Sequence, residues 1–99
     1  MTTKVSKTLA DFEGQTPSFE ARLEIFDKEA NKNKFWRCAV YGEFVYRHWG
    51  RHGTTGQTLV ERYYSDYAAK QAGRNLAHEK RNKGYQPEAS VLDRFAREV

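Results

Sequence analysis

Trp49, Gly50 and Arg51 put a flat indole, a residue with no side chain and a planar guanidinium within three positions. An indole stacks on sugars and bases, and a guanidinium offers five donors in a fork that suits phosphate. Each has a second reading: a tryptophan in a small chain is core by default, and an arginine pairs with an acidic neighbour. In the alternation of residues 44–49, Val45, Arg47 and Trp49 share one face, and Arg47 on that face argues for exposure. Arg47 is itself a candidate for phosphate, or a solvated arginine. Trp36, beside Phe35 and Cys38, belongs to the core.

The turn His52-Gly53-Thr54-Thr55-Gly56 holds two glycines able to take positive φ. Its backbone N–H groups around Gly53 suit an anion, although turn geometry alone accounts for both glycines. Lys70, Arg74 and Arg81 fall on the side of a helical stretch away from its apolar stripe, with Lys80 and Lys83 at the flanks. Such a row is either a solvated face or a line of phosphate contacts. His48 and His52 stand four apart on an extended strand, ~13 Å at ~3.3 Å per residue, too far to converge on one ion with Cys38. No metal and no cofactor are expected. His78 faces solvent, and Cys38 reads as a small buried apolar residue. No Ser/His/Asp order or paired-carboxylate spacing stands out, so an enzyme is not expected.

Ninety-nine residues, 30% of them charged and 14% aromatic, suit one small domain. The net charge is +4. Residues 34–85 hold ten basic against four acidic residues, a net of +6, while both flanking segments are slightly acidic. Cations interleaved with aromatics fit a nucleic-acid partner. The same composition fits an acidic protein, because tyrosine, tryptophan and arginine also dominate protein interfaces. With one cysteine, no disulfide closes within the chain. No apolar run has the length of a membrane span or a signal peptide, so a cytoplasmic protein with no membrane partner is expected.

These residues require elements to hold them. Residues 1–16 are polar and read as a flexible leader, with a single domain over residues 17–99. Phe19, Ala21, Leu23 and Ile25 alternate with polar residues as in a strand. Residues 35–41 and 44–49 form a hairpin around Gly42-Glu43, and a further strand runs over residues 57–64. Ser65 caps a helix that ends near Lys83, with Gly84 as terminator and Ala68, Ala69, Ala72 and Leu76 as its apolar stripe. Val91, Leu92 and Phe95 suggest a short docking helix. The fold class expected is α+β: a four-stranded antiparallel sheet against one main helix, with a short C-terminal helix.

Asn33-Lys34-Phe35-Trp36-Arg37, then Trp49-Gly50-Arg51, then Gly56-Gln57, then Lys80-Arg81-Asn82-Lys83-Gly84-Tyr85 occur in this order. Over about residues 18–86 the chain resembles the WGR domain, found in DNA-damage-dependent poly(ADP-ribose) polymerases and in small bacterial proteins. The resemblance implies binding of DNA at ends, nicks or breaks with little sequence specificity. It makes Trp49 the platform for a terminal sugar and Arg51 its charged neighbour, with Gly50 keeping the strand edge uncluttered. In the polymerases the domain also signals to a catalytic region, for which this chain has no room. The expected partner is DNA, or RNA, with a protein partner in repair as a further possibility; the alternative is a module that docks an acidic protein through the same surface.

Overall fold

The computed structural model describes residues 2–88. Four of its strands form the expected meander: β2 (Phe19–Asp27), β3 (Lys32–Tyr41), β4 (Phe44–Arg51) and β5 (Gln57–Arg62). The sheet is nevertheless six-stranded among the described residues, in the order β1-β5-β4-β3-β2-β6, and not four-stranded as expected. β1 (Thr3–Val5) adds beside β5, and β6 (Gln86–Pro87) adds beside β2. Both are very short edge strands with little apolar content, so neither carries a periodicity that a sequence window detects. β6 ends on a proline, which only an edge strand tolerates easily.

β1 comes from the stretch whose composition reads as a leader. In the same stretch, a 3-10 turn at Leu9–Phe12 buries Phe12, whose ring stacks on Tyr41 with centroids 4.6 Å apart. Phe12, Ala39, Tyr41 and Val60 form a small apolar cluster on one face of the sheet, closed by Val5, Phe44 and Tyr46.

The other face carries α1 (Asp66–Asn82), which packs on β2, β3 and β4. Its start is as expected: the Ser65 hydroxyl accepts from the Ala68 N–H at 3.0 Å. Its end is too, with Gly84 at φ 106° and the Tyr85 N–H donating to the Lys80 carbonyl at 3.1 Å. The buried stripe runs through Ala69, Gly73 and Ala77, with Ala72 and Leu76 at its edge. Gly73, which has no apolar side chain to mark it in a periodicity, sets how closely the helix sits. A Cβ there would stand 2.6 Å from Val40 Cγ2 and 3.3 Å from Phe19 Cδ2. Below it Leu23, Trp36, Cys38, Val40 and Val45 make the main core, with Trp36 only 3% exposed. The expected helix near Val91, Leu92 and Phe95 lies outside the described residues.

Candidate nucleic-acid interface

Trp49 stands directly opposite Trp36 in the β3–β4 ladder, so both indoles project from the face that carries α1. Trp36 is sealed in the core, whereas Trp49 packs against that core while remaining only partly buried. A cleft of about 220 Å³ opens beside it, lined by Lys34, Phe35, Trp36, Trp49, Gly50, Arg51, Lys80 and Tyr85. The Trp49 indole and the Tyr85 phenol thus meet three cations in one hollow. The elements that bring them are β3 for Lys34, β4 for Trp49 and Arg51, the last turn of α1 for Lys80, and its C-terminal cap for Tyr85.

Lys80 is the residue that the tertiary fold moves most in importance. It continues the sheet-facing side of α1, and its ammonium lies 5.3 Å from the centroid of the Tyr85 ring. Burial, helped by the positive charges of Lys83, Lys34 and Arg47, holds its pKa below the ordinary lysine value. An ammonium crowded by other cations and partly stripped of water is stabilised by any anion that enters the cleft. Burial likewise pushes the Tyr85 phenol upward, so it stays a neutral donor.

Arg51 is exposed at the mouth of the cleft. Its guanidinium donates to the Asn31 Oδ1 at 3.1 Å and to the Asn31 carbonyl at 3.5 Å. Among the described residues no carboxylate pairs with it, so the ion-pair reading of Arg51 is not what the structure holds. Two bonds to a neutral asparagine position the fork without neutralising it.

Arg47 has a different environment. It shares the helix-side face with Val45 and Trp49, as the alternation implies, but that face is covered, and Arg47 is ion-paired with Glu61. Its presence there is therefore no sign of an open surface. Gly53 sits at the tip of the β4–β5 turn with φ 87° and open space around it. The turn is held from inside, by the Thr54 N–H and hydroxyl donating to the Arg51 carbonyl at 3.1 and 2.7 Å. His48 Nε2 is 2.6 Å from the Thr55 carbonyl, to which the ring N–H donates. Among the described residues no three His, Cys, Asp or Glu side chains gather as metal ligands.

The helix cations do not form one group. Lys80 lines the cleft, Arg81 and Lys83 are exposed in the last turn and cap of α1 without lining it, and Lys70 and Arg74 lie on earlier turns. Lys34 and Tyr85 join the site without having been expected in it, although both sit in the motifs that mark the family. Their signal is position within those motifs, which says nothing about facing Trp49 until the strands and the helix cap are in place.

A family model for the WGR domain matches residues 19–91. Among curated proteins none matches the chain. The solved structure of a Bacteroides fragilis protein is similar over 76% of this chain and 21% of that one, with a TM-score of 0.67 and 31% identity. This chain therefore corresponds to about a fifth of that protein's length. The family match takes in the whole meander, the cleft and the helix that closes it, and the chain belongs to the WGR domain family.

Proposed function

We propose that this domain recognises DNA ends, nicks or breaks, without catalysing a reaction. A terminal sugar lies against Trp49, and the adjoining phosphates meet Arg51, Lys34 and Lys80. WGR domains are non-catalytic modules that bind nucleic acid. The observation that supports the finer reading is the partly exposed indole set in a cleft with three cations and, among the described residues, no carboxylate in its lining. Contacts to sugar and phosphate fix position but read little sequence. A strand terminus exposes a sugar face that the next nucleotide of a continuous strand would cover.

Fluorescence anisotropy with matched duplexes that are nicked, blunt-ended, or sealed by a hairpin loop at both ends tests this. Nicked and open-ended duplexes are expected to bind more tightly than closed ones. Trp49→Ala is expected to remove ~1–3 kcal/mol, roughly 5- to 150-fold in affinity. Equal binding to all forms, unchanged by that substitution, sinks the proposal. Arg81, Lys83, Lys70, Arg74 and Gly53 then serve as an outer set of phosphate contacts, which add affinity and salt dependence. Arg47, tied to Glu61, contributes by holding the floor beneath Trp49. A matched RNA duplex in the same assay separates DNA from RNA, and binding that is indifferent to salt favours an acidic protein partner instead.

A further inference from the structure

We propose that Phe26 is a second stacking platform, which takes an unpaired nucleobase next to the terminus held at Trp49. This rests on the function proposed above and names a part of the substrate that the Trp49 cleft does not reach. Phe26 is the penultimate residue of β2, on the face of the sheet away from α1, and is 61% exposed. Its ring is held flat. It stacks on His52 with centroids 4.8 Å apart and an interplanar angle of 10°. His52 is fixed in turn by the edge of Phe35 at 5.8 Å, by the Glu24 carboxylate 3.6 Å from its Nε2, and by its backbone N–H donating to the Asn33 carbonyl at 3.0 Å. An aromatic ring with its inner face occupied and its outer face open accepts another planar ring without further ordering cost.

A single exposed phenylalanine needs no explanation; the surroundings of this one distinguish it. Phe26 lines a notch of about 250 Å³ together with Asp27, Lys28, Asn31, Lys32, Asn33 and Arg51. Arg51 lines the Trp49 cleft as well, so one guanidinium stands between two aromatic platforms on opposite faces of the sheet. Lys28 and Lys32 are exposed on the rim. The carboxylate present, Asp27, is engaged in the turn, where its Oδ1 accepts from the Ala30 N–H at 3.1 Å. A strand that places a sugar against Trp49 and a phosphate over Arg51 carries its next base around the end of the sheet toward Phe26. A base still paired in a duplex cannot leave its stack without cost, so the occupant is an unpaired one.

The test uses a short duplex with a one-nucleotide overhang, in both polarities, bearing either thymine or an abasic spacer at the overhang. For the unaltered chain, the thymine overhang of one polarity is expected to bind at least ~5-fold more tightly than its abasic counterpart. Phe26→Ala is expected to abolish that difference while leaving affinity for the abasic duplex unchanged, and Phe26→Tyr to preserve it. Equal affinity for thymine and abasic overhangs, or a difference that survives Phe26→Ala, overturns the second platform. If Trp49→Ala weakens both ligands and the unaltered chain does not tell them apart, only the Phe26 proposal falls. If no duplex binds the unaltered chain, both fall.

Discussion

Gly50 and Gly56 meet backbone to backbone across the β4–β5 turn: a Cβ at Gly50 would stand 2.7 Å from the Gly56 Cα. Gly56, at φ 72°, is equally confined, since a Cβ there would lie 2.4 Å from the Trp49 carbonyl oxygen. The glycine between Trp49 and Arg51 is thus required by the return of the chain as much as by any ligand. It allows the strand to present the indole and the guanidinium while the turn folds against the strand between them.

Gly50→Ala therefore pushes a methyl into backbone that cannot yield. The expected loss is about 1–3 kcal/mol of stability, read as a lower urea midpoint with an unchanged slope. An alanine variant as stable as the parent would show that the turn is free to shift.

Gly73→Ala sets two effects against each other. Alanine favours a helix interior over glycine by ~1 kcal/mol. The added methyl, however, meets Val40 Cγ2 at 2.6 Å, and Val40 is fully buried. Overpacking is expected to win, giving net destabilisation. In a Val40→Ala background the same change is expected to be neutral or favourable, and a thermal double-mutant cycle reads the coupling directly. Simple additivity would place the helix farther from the sheet.

Lys80 links salt and pH to binding. Lys80→Gln is expected to flatten the plot of log affinity against log salt by about 1, the share of one neutralised phosphate. Burial and neighbouring cations depress its pKa in the free protein, and an anion in the cleft relieves that. Binding in the alkaline range below the ordinary lysine value of 10.5 is therefore expected to take up protons. Calorimetry in two buffers of different ionisation enthalpy measures that uptake; none, or proton release, contradicts it. For stability the sign is the reverse of an attractive pair: the unfolded chain holds this proton more tightly, so the contribution of Lys80 to stability rises with pH through the same range.

Cys38 is 1% exposed, and burial pushes its thiol up to about 12, partly opposed by Arg47. In the folded protein it is expected to resist a thiol reagent at about pH 8 and to react on adding denaturant. Its folded pKa lies above the unfolded value of 9.0, so its contribution to stability is complete below that value and falls as pH rises toward 12. Rapid labelling under native conditions would mean that the core beneath α1 opens readily.

Local chemistry in the sequence determined a good deal. Alternation in β2 to β4, the Gly42-Glu43 hairpin, Ser65 as cap and Gly84 as terminator are set by neighbours a few residues apart, and each stands where the spacing put it. The same holds for Trp36 and Cys38 in the core, and for Val45, Arg47 and Trp49 on one face. Tertiary structure decided what that face meets. It set Arg47 against Glu61, brought Lys34, Lys80 and Tyr85 around Trp49, and left Arg51 between two hollows. It also added β1 and β6, whose few residues gain their stability from the edges they join. Periodicity reports which side of an element is apolar, but the surface a side chain faces depends on pairing and packing between residues far apart in the chain.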